Sequence, residues 1–160
     1  MPTTLTEGDT APTFDLESAG GRVKLDDLRG KWVVLYWYPK DDTPGCTVEA
    51  CEIRDNFAMI SGEAELFGIS PDSVASHVKF RDKFELPFTL LADSDHSVSD
   101  AYGVWGPKKF MGRDYTGVDR ATFIVDPQGK LARVFPKVSP AGHALEIAQA
   151  LTELKAARKA

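Results

Sequence analysis

Cys46 and Cys51 are the only cysteines in a chain of 160 residues, and both fall in the stretch Pro39-Lys40-Asp41-Asp42-Thr43-Pro44-Gly45-Cys46-Thr47-Val48-Glu49-Ala50-Cys51. A thiol reacts as a nucleophile through its thiolate, and an ordinary cysteine, with a pKa of about 8.5, is only a few per cent ionised at pH 7. The first turn of a helix favours the ionised form. Its backbone N–H groups lack partners within the helix, and the helix dipole makes that end partly positive. The residues ahead of Cys46 predict such a position, since Thr43 is a capping type and Pro44 suits the first helical residue. The alternative for Cys46 is that of most free cysteines, a small buried hydrophobe.

Continued as a helix, the segment places Cys46, Ala50, Ile53, Phe57 and Ile60 on one stripe. Cys51 is turned from Cys46 by about 140°, with Cα atoms roughly 8.7 Å apart. A disulfide needs Cα atoms within about 7 Å and facing Cβ vectors. The two sulfurs therefore cannot join while the helix is intact, and any reaction between them requires its first turns to unwind. Two unrelated cysteines on different faces is the competing description.

The elements that must position these groups follow from hydrophobic patterning. Trp32-Val33-Val34-Leu35-Tyr36-Trp37-Tyr38 is an unbroken apolar run, which predicts a strand buried on both faces at or near the middle of a sheet. Phe14–Glu17 and Arg22–Leu25 alternate around Ser18-Ala19-Gly20-Gly21 and predict a hairpin, followed by a short turn through Leu25–Gly30. After the cysteine helix come a strand over Ala64–Ser70 and a helix opened by Pro71-Asp72-Ser73 and running to about Phe84, with Val74, Val78 and Phe84 inward. A short strand over Phe88–Leu91 and a brief helix over Val98–Tyr102 are next. Residues 103–119 carry Gly103, Gly106, Pro107, Gly112 and Gly117 and read as a long irregular connection of the kind that is often functional. Ala121–Val125 and Leu131–Phe135 form a hairpin across Asp126-Pro127-Gln128-Gly129. A closing helix spans about Gly142 to Ala156, with Leu145, Ala148, Leu151 and Leu154 on one face.

Bulk properties exclude several classes. The length suits one domain, residues 1–160, with a real core. A composition 42% hydrophobic and 27% charged is that of an ordinary soluble protein. The longest apolar run is far too short to span a bilayer, and Met1–Glu7 has neither a basic start nor an apolar signal segment, so a soluble, cytoplasmic protein is expected. A net charge of −5 offers no bulk attraction to nucleic acid or to anionic membrane. His77, His96 and His143 are too widely spaced for a zinc pattern, Asp93-x-Asp95-His96 reads as a helix cap rather than a metal loop, and no glycine-rich phosphate loop is present.

Pro39-x-x-x-Thr43-x-x-Cys46, with Glu49 three residues on, resembles the active-site signature of the peroxiredoxins. Cys51, five residues after Cys46, is similar to the Q-type subgroup, also called bacterioferritin comigratory proteins. The likeness continues in order through Phe88-Thr89-Leu90-Leu91-Ala92-Asp93, Tyr102-Gly103-Val104-Trp105-Gly106, Phe110-Met111-Gly112 and Gly117-Val118-Asp119-Arg120-Ala121-Thr122-Phe123, covering nearly the whole chain. The element order βαβα…ββα is then a thioredoxin-like α/β plan: a central mixed β-sheet flanked by helices, with an N-terminal β-hairpin extension. In it the strand Ala121–Val125 runs antiparallel beside Trp32–Tyr38, which puts Arg120 near the end of the central strand and next to Cys46.

Taken alone, Arg120 reads first as a solvated arginine beside Asp119; the resemblance aligns it with the family's active-site arginine, whose permanent charge stabilises a thiolate and donates to a peroxide oxygen. Arg113, Lys108 and Lys109 have no such placement and read as surface groups. Thr43 either caps the helix or offers its hydroxyl to the peroxide or the sulfur. Pro39 is expected to stiffen the loop and shield Cys46 from water. Glu49 is expected on the exposed side near Cys46, holding Arg120 or the loop, or standing as a solvated helix glutamate.

The resemblance implies a peroxidase acting on hydrogen peroxide and organic hydroperoxides. Cys46 passes through a sulfenic acid, condenses with Cys51 in an intramolecular disulfide, and is recycled by thioredoxin or a similar dithiol reductant, without metal, haem or flavin. A resolving cysteine in the same chain removes the chemical need for a dimer, so a monomer is expected. The rival readings are a thioredoxin-like thiol–disulfide oxidoreductase, disfavoured because four residues rather than two separate the cysteines, and a redox-sensing module.

Overall fold

The computed structural model describes residues 3–62 and 64–159, with only the backbone described for Phe110, Arg158 and Lys159; Met1 and Pro2, at the head of the segment searched for a leader, lie outside. The apolar run forms β3 (Val33–Trp37), in which every residue is buried. It is interior to a seven-stranded sheet made with β1 (Asp15–Ser18), β2 (Gly21–Lys24), β4 (Glu65–Ser70), β5 (Thr89–Ala92), β8 (Ala121–Val125) and β9 (Leu131–Phe135), in the order β2-β1-β5-β4-β3-β8-β9. β3 pairs parallel with β4 and antiparallel with β8, so helical crossovers and a hairpin coexist in one mixed sheet. The N-terminal hairpin extends the sheet through Glu17 opposite Ala92. This is the thioredoxin-like plan expected.

Alternation along β3 divides the core. Val34 and Tyr36 face the side covered by α1 (Pro44–Asp55), α2 (Phe57–Ser61), α3 (Val74–Phe84) and α5 (His143–Lys159), through Ala50, Ile53, Ile60, Phe80 and Ile147. Val33, Leu35 and Trp37 face the other side, where Phe14, Tyr102, Val118 and Val98 of α4 (Ser97–Ala101) close over them. Gly68 lies opposite Tyr36, and a Cβ there would stand 2.8 Å from both Tyr36 Cζ and Leu90 Cδ2. Only glycine leaves room for the tyrosine ring, which is directed at the helix bearing the cysteines.

Four expectations need correction. Residues 103–119 are not irregular: β6 (Trp105–Phe110) and β7 (Arg113–Val118) pair in a separate two-stranded ribbon, turning through Met111 at φ 51° and Gly112 at φ 78°. One face of a pair of strands covers little, so β7 is mostly exposed and lacks the hydrophobic alternation that marks a strand; Pro107 is tolerated because β6 has a free edge. The cysteine helix does not run on through Phe57. It breaks at Asn56, whose Nδ2 donates to Glu52 O at 2.8 Å, a local side-chain bond that competes with the helical ladder. The expected stripe survives the break, with Cys46, Ala50, Ile53 and Ile60 buried.

On α3 the buried residues are His77 and Phe80; Val74 and Val78 are only half-buried, while Phe84, also half-buried, packs against the core as expected. On α5, Leu145 is 55% exposed and the inner face is Ala144, Ile147, Ala148 and Leu151. Ala148, Leu151 and Leu154 pack inward as expected, and of the four expected residues only Leu145 is turned out, with Ala144 and Ile147 on the inner face instead. Asp93 caps α4 as expected, accepting from the amides of Val98 and Ser99.

Candidate active site

α1 begins where β3 ends. Thr43 takes an extended N-cap conformation, Pro44 is the first helical residue, and the Thr47 amide donates to Thr43 O at 2.8 Å. Thr43 does not cap with its side chain. Its hydroxyl instead donates backwards to Lys40 O at 3.0 Å, closing the loop on itself. The amides of Gly45 and Cys46 therefore remain at the helix start without an intrahelical acceptor, directed towards any negative charge placed there.

Cys46 is 2% exposed. Arg120 Nη2 donates to Cys46 Sγ at 3.4 Å, while Nη1 donates to Glu49 Oε1 at 2.7 Å. Arg120 reaches this position because Trp37 pairs with Ala121, setting the residue before β8 against the end of β3, and Arg120 O is held by the Val138 amide at 3.0 Å. Gly45 admits the guanidinium: a Cβ there would lie 3.2 Å from Arg120 Nη2 and 3.5 Å from Pro140 Cγ. Burial opposes the charge on Arg120, but the sulfur and the carboxylate outweigh it and raise its pKa. A fixed cation thus faces the sulfur, with the helix start behind it, and favours negative charge on Sγ.

Glu49 is the plainest correction at the site. It is 1% exposed rather than on the solvent side, because Arg120 draws it under the helix. Burial raises its pKa to about 7, against the pull of Arg120. Its Oε2 and the hydroxyl of Tyr36 are buried with no hydrogen-bond partner among the described residues. Burial, then the charges of Glu49 and Cys46, push the Tyr36 phenol well above its ordinary value, so it is neutral.

Cys51 is half-buried on α1, both cysteines are free thiols, and Pro39 is exposed at the head of the loop. Asp119 pairs with Lys108, not with Arg120. Lys109 is exposed as expected and Lys108 is half-buried; with Lys137, Asp119, Pro107, Pro136 and Val138 they line a cavity of about 610 Å³ that reaches Arg120.

Sequence reasoning missed Tyr36, Gly45 and two buried histidines. His143 Nε2 lies 2.7 Å from Thr122 Oγ1 and its Nδ1 3.1 Å from Glu146 Oε1, and burial lowers its pKa. His77 lies 2.7 Å from Asp41 Oδ2. Thr122 and Asp41 lie far off in sequence and on other elements, and the one available signal was the residue type: a histidine on the apolar side of a helix.

Comparison with known proteins agrees with this geometry. Residues 7–134 match the model of the AhpC/TSA family. The chain is 48% identical over 142 residues to a putative peroxiredoxin bcp of Coxiella burnetii, covering 88% of this chain and 94% of that protein. It is 43% identical over 153 residues to peroxiredoxin Bcp of Bacillus subtilis, covering 94% and 98%. Among solved structures, a bacterioferritin comigratory protein of Xanthomonas campestris, described for its alkyl peroxide reduction activity, superposes with a TM-score of 0.83 at 33% identity, covering 94% of this chain and 98% of that one. The chain belongs to the AhpC/TSA family, as a peroxiredoxin of the bacterioferritin comigratory, or Q-type, branch. It is accordingly an enzyme, a thiol-dependent peroxidase with a peroxide substrate and a thiol reductant.

Proposed function

We propose that this protein reduces hydrogen peroxide and organic hydroperoxides through Cys46 and is recycled through an intramolecular Cys46–Cys51 disulfide. The observation that carries the reading is the Arg120 guanidinium 3.4 Å from a sulfur in the first turn of α1. The Cys46 thiolate attacks one oxygen of the hydroperoxide. The O–O bond breaks, the leaving oxygen takes a proton to depart as water or an alcohol, and Cys46 becomes the sulfenic acid. Arg120 and the first-turn amides stabilise the charge that shifts across the breaking bond. Thr43 turns its hydroxyl from Lys40 to the peroxide, Glu49 holds the guanidinium in place, and Pro39 stiffens the loop. The cavity beside Arg120, in which Pro107, Pro136 and Val138 stand among charged residues, has room well beyond hydrogen peroxide and supports organic hydroperoxides as substrates, in line with the activity described for the Xanthomonas relative.

The Cys51 thiol then attacks the Cys46 sulfenic acid, forming the disulfide and releasing water. Both residues lie on one helix and cannot meet while it is wound, so its first turns open at this step. A dithiol protein such as thioredoxin reduces the disulfide, and the protein's own chemistry needs no metal, haem or flavin. One domain over residues 1–160, acting as a monomer in the cytoplasm, completes the proposal; no helix among the described residues is long and apolar enough to cross a membrane. Mass spectrometry after one equivalent of peroxide tests it: a Cys46–Cys51 bond within one chain is expected. In a Cys51→Ser variant, one turnover of peroxide should persist while recycling by thioredoxin stops. Full steady-state turnover by that variant would refute the assignment of Cys51.

A further inference from the structure

On the side of the helix start away from Arg120, the loop that carries Thr43 is fastened by a second buried cluster. Asp41 and His77 are 8% and 2% exposed. Asp41 Oδ2 lies 2.7 Å from His77 Nδ1 and accepts from Ser76 Oγ at 2.7 Å, while Oδ1 accepts from Tyr38 OH at 2.6 Å. The Asp41 amide donates to Asp72 Oδ2 at 2.8 Å, and Ser70 Oγ donates to the same oxygen at 2.7 Å. His77 Nε2 lies 3.0 Å from Leu91 O. A carbonyl only accepts, so Nε2 donates to Leu91 O, and Nδ1 faces Asp41. Asp41, Asp72 and His77 also bring potential metal-ligand atoms within 4.8 Å of one another, but each of those atoms is engaged in these bonds. The cluster is a closed clamp, not an open cation site.

Its position gives it a consequence for the thiols. Asp41 is five residues before Cys46, and the next residue, Asp42, holds φ 56° and pairs with Lys83 of α3 at 2.8 Å. The loop is thus tied to α3 at two successive residues just before α1 begins. The far half of α1 is tied as well: Glu52 Oε2 accepts from the Gly142 amide at 2.7 Å, and Arg54 Nη1 donates to Phe84 O at 2.7 Å. Between these anchors lie Thr43 to Cys51, the residues that must unwind for the sulfurs to meet. Breaking a buried, fully connected hydrogen-bond network is costly, so the Asp41 end stays put while the segment beyond it opens.

We propose that Asp41 and His77 are positioning residues for both thiol steps: their clamp is the fixed end against which the first turns of α1 unwind, setting how often Cys46 reaches Cys51 and returning the helix start to the geometry that meets peroxide. The kinetic half of this rests on the disulfide recycling proposed above. Loosening the clamp raises the population of the open form, speeds disulfide formation and lowers overoxidation of Cys46 to the sulfinic acid.

Two amide variants separate the clamp from mere packing, because the asparagine amide takes the place of ring Nδ1 and the glutamine amide that of Nε2. His77→Asn keeps a donor for Asp41; His77→Gln keeps only the bond to Leu91 O. In the reduced full-length protein, hydrogen exchange of amides 47–51, whose helical bonds open when the first turns unwind, should rise about tenfold in His77→Gln and stay within about twofold of wild type in His77→Asn. Quenched-flow mass spectrometry should show the Cys46–Cys51 bond forming faster, and less sulfinic acid at high peroxide, in His77→Gln alone. Should His77→Gln fail to fold, Asp41→Asn, which removes the charge and keeps the shape, should raise exchange of the same amides about fivefold. Equal exchange in both His77 variants, or exchange in Asp41→Asn no faster than in wild type, overturns the clamp. Absence of any Cys46–Cys51 bond in the wild type would instead overturn the recycling reading, with exchange still judging the clamp.

Discussion

Two polar clusters flank the start of α1, and they are built on opposite principles. On the β8 side, Cys46, Arg120 and Glu49 form a chain of charges in which Glu49 Oε2 and the neighbouring Tyr36 hydroxyl have no hydrogen-bond partner among the described residues. On the α3 side, Asp41, Asp72, His77, Ser70, Ser76 and Tyr38 satisfy one another within hydrogen-bond distance. A buried polar group left unpaired costs stability and stays available for a new partner, whereas a fully connected network rigidifies what it touches. The difference assigns reactivity to the first cluster and support to the second. Both bear on the same turn of helix.

Substitutions can break or sharpen that contrast. The largest effect is expected for Cys46→Ser, which should lower peroxide turnover by at least about 10⁴-fold in a coupled thioredoxin assay. Arg120→Met should slow the peroxide step by about 10²- to 10³-fold, read by competition for peroxide, because it removes the cation 3.4 Å from the sulfur and leaves the Glu49 carboxylate buried alone.

Glu49 predicts a pH dependence of stability. Its pKa rises from 4.5 to about 7 on folding, so between these values the folded state holds a proton that the unfolded chain has released. Stability therefore falls as pH rises through that window, by about 3 kcal/mol across it, and Glu49→Gln should remove this slope in denaturant titrations at pH 5 and 7.5. The smallest effect belongs to the satisfied cluster. Ser76→Ala deletes one of the bonds to Asp41 and should cost about 1 kcal/mol in the same titration, with the rate of the peroxide step unchanged. A tenfold loss in that step would erase the distinction between the two clusters.

Strands and helices with an apolar pattern were legible before folding. β3 is apolar throughout, the hairpin of β8 and β9 is marked by its turn, and the stripe on the cysteine helix is buried even though the helix breaks at Asn56. The ribbon of β6 and β7 was not legible, because a pair of strands outside the main sheet buries too little on either face to impose alternation. Glu49 was read as exposed since glutamate is usually solvated; only a cation brought from 71 positions away makes its burial tolerable. The partial burial of Lys108 is hidden for a related reason, as its pairing with Asp119 depends on how the ribbon folds back.

The amino-acid order by itself determined the helix start at Pro44, the place of Cys46 within its first turn and the phase of Cys51 five residues on, since these depend on local backbone geometry and on side-chain periodicity. Which charges meet the sulfur was decided by the fold. The pairing of β3 with β8 brings Arg120 to Cys46, and the packing of α3 brings His77 to Asp41. Such meetings join residues separated by tens of positions, and the close packing that forces them together exists only once the sheet and its helices have assembled.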